Sequence, residues 1–124
     1  MNAFAKPTPD RSVVLSTAVT RVADLWGLSN TKLGAVLGLS GPTISRLKRG
    51  ETKLDVASKS FEAGQFLVRL FRSLDALLGS DDDAARQWLQ TLNLDLGARP
   101  IEAIETMRGL IAVCDYVDFY RARV

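Results

Sequence analysis

Residues 33–50 read LGAVLGLSGPTISRLKRG, and this stretch decides the fold. Its apolar residues recur at helical spacing on both sides of a break at residues 38–40. The glycine in the break permits the positive φ of a tight turn, and Ser40 followed by Pro42 is typical of a helix start. Two short helices joined by so short a turn have little freedom in their crossing angle. The stretch therefore predicts a helix-turn-helix, whose second helix ends at Gly50.

The second helix of this pair presents polar side chains on the face opposite Ile44 and Leu47. Hydroxyl groups lie near its start, and cations lie near its end and just beyond it. Hydroxyls and arginines can contact base edges, while lysines contact phosphates. The candidate DNA-binding residues are Ser40, Gly41, Thr43, Ser45, Arg46, Lys48, Arg49 and Lys53. The alternative is a helical hairpin that only contributes to a larger core.

Another helix is predicted before this pair, and it ends at Gly27. Its apolar face is formed by Leu15, Ala18, Val19, Val22, Leu25 and Trp26. Asn30 or Thr31 is the candidate N-cap of the helix that follows. We therefore expect three helices before residue 50.

The segment after Asp55 is predicted to be helical as far as Gly79, with a wide apolar stripe. The stripe consists of Leu67, Leu70, Phe71, Leu74, Leu77 and Leu78. This half of the chain has more apolar surface than a monomer of its size can readily bury, so we expect a homodimer through it. The candidate dimerisation residues are Leu67, Leu70, Phe71, Leu74 and Ile111.

Three further helices are predicted after this one. Residues 81–83 are all aspartate and precede the first of the three, where carboxylates can cap free N–H groups or, alternatively, hold a metal ion. Pro100 opens the second, and Gly109 lies before the last. Because no segment alternates with period two, the predicted fold class is all-α, with seven helices.

Composition excludes several functions. The chain has 124 residues, no histidine and one cysteine. A histidine general base and His-containing zinc sites are therefore unavailable, and carboxylates such as Asp115 and Asp118 have no supporting nucleophile or phosphate loop. Cys114 cannot form an intramolecular disulfide and is interpreted as a core residue. We therefore expect that the chain is not an enzyme and that it binds no cofactor and no metal.

The two halves of the chain differ in charge. Residues 1–60 carry nine Lys and Arg against four acids, whereas residues 61–124 carry seven Arg against ten acids. A basic half suits a polyanion and an acidic half suits a different partner, although scattered surface charge is an alternative. We expect a flexible N-terminal arm over residues 1–10, a DNA-binding domain over residues 11–60 and a helical domain over residues 61–124.

No apolar run approaches the ~18 residues that span a bilayer, and the N-terminus has no apolar region of a signal peptide. The expected location is therefore the cytoplasm, without a membrane partner.

Residues 33–50 resemble the helix-turn-helix of the phage-repressor-like Xre regulators. They depart from that pattern at Gly34, where alanine is common, and at Leu47 and Lys48, where an aromatic residue and an acid are frequent. Neither departure alters the face that would meet DNA.

The second half carries, in order, Trp88-Leu89, Asn93, Leu96-Gly97, Pro100-Ile101, Thr106, Gly109 and Val113. This order, over roughly residues 70–122, resembles the toxin-binding domain of the Xre/MbcA/ParS antitoxins. The resemblance implies an antitoxin paired with a RES-domain toxin that consumes NAD. It also implies that the antitoxin covers the entrance of the toxin's active site, dimerises through its helical C-terminal region and binds the promoter of its own operon.

The C-terminal end combines aromatic and cationic side chains, which are enriched at interface hot spots. The candidate toxin-binding residues are Tyr116, Phe119, Tyr120, Arg121, Arg123 and Val124. The alternative for this end is a frayed terminus, and the resemblance favours the interface. The alternative for the whole chain is a stand-alone Xre-family repressor whose second half only dimerises. An adjacent toxin gene would distinguish the two.

Overall fold

The structure, a computed structural model, describes residues 9–123, and within this range it contains seven helices and no strand. They are α1 (Arg11–Trp26), α2 (Asn30–Leu37), α3 (Gly41–Lys48), α4 (Lys59–Leu77), α5 (Asp82–Gln90), α6 (Pro100–Ala103) and α7 (Met107–Arg121). The all-α prediction is confirmed. No helix in the described range has both the length and the apolarity to cross a membrane. Most of the predicted N-terminal arm lies outside the described residues.

Most of the helices begin where the sequence offers a side-chain cap. The caps are Asp10, Ser29, Ser40, Ser58, Asp81 and Thr106, whose side-chain oxygens accept from backbone N–H groups of the first turn. Asp81 accepts from the N–H of Ala84 at 3.0 Å, so the capping interpretation of residues 81–83 is confirmed. The predicted cap of α2 was wrong: Ser29 caps it, because Asn30 and Thr31 already belong to the helix.

Helix α4 lies between α1 and α7 and packs against both. On the α1 side, Gly64 allows close approach, since an added Cβ would lie 3.1 Å from Cγ2 of Val19. On the α7 side, the Ser73 hydroxyl donates to Asp118 at 2.7 Å. The first three helices and the last three thus share one core through α4. The boundary predicted between residues 60 and 61 falls in the first turn of this helix.

The apolar stripe of α4 is used inside the monomer. Leu67, Leu70 and Leu74 are 0% exposed, while Phe71 and Ile111 are half-buried. The three leucines therefore have no solvent-exposed surface that a second copy of the chain could contact. Their predicted role in dimerisation does not fit this structure. The reason is that α1 and α7 cover α4 from two sides, which the periodicity of one helix cannot reveal.

Gly109 lies in the first turn of α7, not before the helix as predicted, because Thr106 already caps it. An added Cβ at Gly109 would collide with the backbone carbonyl of Ala103. This close approach of α6 to α7 requires glycine at position 109.

Two polar contacts also join the two halves of the chain. Lys32 on α2 forms an ion pair with Glu105, at 2.8 Å between Nζ and Oε1. Arg86 on α5 donates from Nη1 to the carbonyl oxygen of Leu25 at 2.6 Å. The Leu25 side chain, predicted on the core face of α1, is instead 36% exposed.

Candidate DNA-binding and protein-binding surfaces

The turn between α2 and α3 depends on two glycines. Gly38 has a φ of 71°, which is left-handed backbone. At Gly34 an added Cβ would lie 2.5 Å from the carbonyl oxygen of Leu39, whose own N–H donates to the Gly34 carbonyl at 2.9 Å. Gly34 is one of the positions where the chain departs from the Xre helix-turn-helix pattern. Its lack of a Cβ allows this unusually close turn. Ile44 is fully buried, which fixes the face that α3 turns outward.

The outward face of α3 carries a connected set of polar groups. The Ser40 hydroxyl accepts from the N–H of Thr43 at 3.3 Å and shares a hydrogen bond of 2.9 Å with its side chain. Arg46 in turn donates from Nη2 to Oγ1 of Thr43 at 3.1 Å. Arg46 is exposed, so Thr43 positions a guanidinium that points into solvent. Such a group can make paired hydrogen bonds to a guanine edge.

Ser45 is held by a residue that the sequence analysis missed. Nδ2 of Asn30, at the start of α2, donates to Oγ of Ser45 at 3.1 Å. The hydroxyl of Ser45 keeps its own proton to donate to a base or phosphate. Asn30 was considered only as a cap, and no local pattern in the sequence pairs it with a residue 15 positions later.

The remaining cations near α3 fall into two groups. Lys48 is exposed and forms no ion pair within residues 9–123, whereas Arg49 makes two hydrogen bonds to Glu51, at 2.9 and 3.1 Å. Lys53 lies in the loop before α4 and pairs with Asp10 at 2.6 Å. Hydrogen bonds from Arg49 and Lys53 lower the pKa of Glu51 and of Asp10, respectively.

The structure thus gathers most of the predicted DNA-binding residues on or beside one helix. Gly41 is the first residue of α3, and an added Cβ there would meet open space. Lys53 is the outlier, since it is turned towards the start of α1.

A row of aromatic rings runs along one side of α7. Tyr116 stacks on Trp88 of α5 with ring centroids 6.4 Å apart, and Tyr120 contacts Tyr116 edge-on at 4.9 Å. Phe119 lies beside Tyr120 at 5.5 Å, with the guanidinium of Arg123 over its ring at 4.5 Å. Phe119 and Tyr120 are 54% and 40% exposed. These four residues, three on α7 and Arg123 just after it, were all predicted to bind a toxin and form one surface with Trp88.

Arg121 does not belong to that surface. It donates from Nη1 to Oγ of Ser73 at 3.3 Å, on the side of α7 that faces α4. Here a cavity of about 520 Å³ is lined by three arginines, Ser73 and Asp118. Helical geometry separates Arg121 from Tyr120, because adjacent residues point about 100° apart. Val124, the last predicted residue, lies outside the described residues.

Apolar surface is exposed on α1, where the sequence analysis did not expect it. Val13 and Val14 are 49% and 56% exposed. Val14 borders a groove of about 530 Å³ between α1 and α4, which Arg69 and Arg72 border as well. Part of the apolar surface that one chain leaves exposed is therefore on α1, whereas Leu67, Leu70 and Leu74 of α4 contribute none.

Three features of the described residues bear on whether they hold a metal or a catalytic group. No group of three or more His, Cys, Asp or Glu that could hold a metal occurs among them. Cys114 is 1% exposed, and burial raises the pKa of its thiol to about 11, so it is a protonated core side chain at neutral pH. Asp118, considered earlier as a catalytic carboxylate, is paired with Arg69.

Two family models match the chain. The model of the antitoxin Xre-like helix-turn-helix domain matches residues 7–72, more than half of the chain. The model of the antitoxin Xre/MbcA/ParS C-terminal toxin-binding domain matches residues 73–123. The two matches meet inside α4. No curated protein matches the chain.

Proposed function

Because the chain belongs to the Xre/MbcA/ParS-type antitoxins, we propose that it neutralises a RES-domain toxin and represses its own operon. The observation that carries the proposal is the order of two matched domains in one chain, a helix-turn-helix domain followed by a toxin-binding domain. The proposed activities are DNA binding and inhibition of a partner, both in the cytoplasm. The NAD-consuming chemistry belongs to the toxin.

In the proposed DNA complex, α3 lies in the major groove. Thr43, Ser45 and Arg46 face the base edges, since their side chains lie on the outward face of the helix. The phosphates are contacted from the start of α3, by Ser40 and Gly41, and by three cations. These cations are Lys48, Arg49 and Lys53. Arg49 and Lys53 exchange their carboxylate partners for phosphates at little cost, because both ion pairs are exposed.

The proposal includes a homodimer, because one helix-turn-helix reads only a few base pairs. A two-fold dimer places a second recognition helix about 34 Å away, one helical turn along the DNA. The three buried leucines of α4 are unavailable for this contact. We place the dimer interface on apolar surface that one chain leaves exposed, such as Val13 and Val14 on α1.

In the proposed toxin complex, the end of α7 covers the entrance of the toxin's active site. Phe119 and Tyr120 are exposed aromatic side chains that the protein does not need for its core. Their contacts with Tyr116 and Arg123 restrict their rotamers, so binding costs little side-chain entropy. Arg121 and its neighbouring arginines on α4 offer a separate, cationic contact on another side of α7.

Co-expression tests the proposal. Cells that express the RES-domain toxin encoded next to this gene should stop growing and lose NAD, and co-expression of the full chain should restore both. A fragment of the operon's promoter should shift in a gel with the full chain or its toxin complex. If the chain shifts the promoter but does not protect the cells, it is a stand-alone repressor.

A further inference from the structure

Two leucines stand out on the turn over residues 92–97. Leu94 is 86% exposed and Leu92 is 59% exposed, more than any other large apolar side chain within residues 9–123. Burying a leucine contributes ~1.5–3 kcal/mol, and these two contribute little of this to the fold. Their exposure therefore calls for an explanation outside the core.

The turn that carries the leucines is closed by hydrogen bonds. Oδ1 of Asn93 accepts from the N–H groups of Asp95 and Leu96, at 3.0 and 3.1 Å. The N–H of Asn93 donates to the carbonyl of Ala98 at 3.0 Å, and the N–H of Gly97 donates to the carbonyl of Asn93 at 2.9 Å. The leucine at the tip is thus presented by an ordered backbone, which lowers the entropic cost of binding through it.

Tyr116 connects this turn to the aromatic row on α7. Its hydroxyl donates to Oδ2 of Asp95 at 2.9 Å, while its ring contacts Trp88 and Tyr120. Leu94 directly precedes Asp95, so the turn that carries it is tied to the aromatic row by this hydrogen bond. The turn and the row both lie within the matched toxin-binding domain, residues 73–123.

We propose that the turn over residues 92–97 is a second anchor of the toxin interface, with Leu94 inserting into an apolar pocket of the toxin. The inference rests on the proposed function. The toxin is the occupant that fits because the turn is hydrogen-bonded to the surface assigned to it and lies in the same matched domain. Two anchors, the turn and the end of α7, fix the direction in which α7 approaches the toxin, which a single contact cannot do.

The test uses the full chain and the RES-domain toxin of the adjacent gene, carrying an inactivating substitution so that it can be purified. Leu94→Asp should weaken binding at least about tenfold by calorimetry, and Leu94→Ala should weaken it less. The matched control is Val56→Asp, the same kind of change at an exposed valine in the loop before α4. Circular dichroism should remain that of the parent in all three variants, and promoter affinity should be unchanged in both Leu94 variants.

Each outcome bears on the proposal. If Leu94→Asp binds the toxin like the parent, the inference is wrong while the proposed function stands. If the parent chain itself does not bind the toxin, both are wrong. If Leu94→Asp changes only the oligomeric state of the free chain, the turn is a contact between copies and the inference is overturned. A photoreactive amino acid at position 94 should crosslink to the toxin, and one at position 13 should not.

Discussion

Ser73 on α4 donates a hydrogen bond of 2.7 Å to Asp118 on α7, 45 residues later in the chain. Ser73 is 2% exposed, and Arg69 forms an ion pair with the same carboxylate. Burial alone would raise the pKa of Asp118, but the hydrogen bonds from Ser73 and Arg69 outweigh it and hold this pKa below its ordinary value. Asp118 therefore joins two helices as a carboxylate.

The first prediction concerns acid. A carboxyl group with a lower pKa in the folded than in the unfolded protein stabilises the fold above its unfolded pKa of about 3.9. This stability is lost as the pH falls through the folded pKa. Asp118→Asn should thus lower the free energy of unfolding by about 1 kcal/mol or less at neutral pH and by less near pH 2, measured by urea denaturation. The control is Asp115→Asn, exposed on the same helix. Equal losses at both pH values would contradict the prediction.

The second prediction concerns base recognition. Arg46→Ala should weaken binding to the promoter by ~1–3 kcal/mol and relax sequence preference, because it removes a donor pair aimed at a base. Thr43→Ala should have a smaller effect in the same direction, since it removes only the hydrogen bond that positions Arg46. Fluorescence anisotropy at fixed salt measures both, with Arg108→Ala on α7 as the control. Parent-like binding by Arg46→Ala would exclude its role in base reading.

The third prediction concerns phosphates. Lys48→Ala should weaken binding to promoter and to unrelated DNA by the same factor, because phosphate contacts carry no sequence information. The slope of log affinity against log salt concentration should fall by about 1. The measurement is a salt titration with both DNAs. A loss confined to the promoter would instead assign Lys48 to a base.

The fourth prediction concerns packing. Gly109→Ala should destabilise the protein by ~1–3 kcal/mol, because the added methyl group meets the backbone of Ala103, which cannot rotate away. Gly41→Ala is the control, since its Cβ meets open space and its backbone is helical. Thermal denaturation of both variants gives the comparison. Equal midpoints would show that α6 shifts without cost.

The fifth prediction separates the two activities. Deletion of residues 120–124 removes Tyr120 and Arg123 from the aromatic row and Arg121 from Ser73, yet leaves the core leucines of α4 in place. Promoter binding and helix content should persist, while protection against the toxin should fall. Cell growth and NAD content on co-expression with the toxin measure the loss. Full protection by the truncated chain would mean that this end of α7 is dispensable.

Local signals explain what the sequence predicted well. The signals that define α2 and α3 act within a few residues, so they need no knowledge of the remaining chain. They are the turn at residues 38–40, Ser40, Pro42 and the buried Ile44. The α4 stripe shows the opposite case, because a leucine pattern indicates burial but not which partner provides it. The Asn30–Ser45 hydrogen bond likewise depends on how helices pack, whereas the separation of Tyr120 from Arg121 follows from helical geometry and could have been predicted.

The sharing of α4 limits how this antitoxin can be recombined. The two matched family domains meet between Arg72 and Ser73, in the middle of a continuous helix. A chimaera joined there would take Arg69 from one parent and Asp118, its ion-pair partner on α7, from the other. Transplanting a new DNA specificity onto this toxin-binding half therefore requires matched changes along α4. A simple fusion at the boundary of the two matched domains would not exchange one specificity without disturbing the other half.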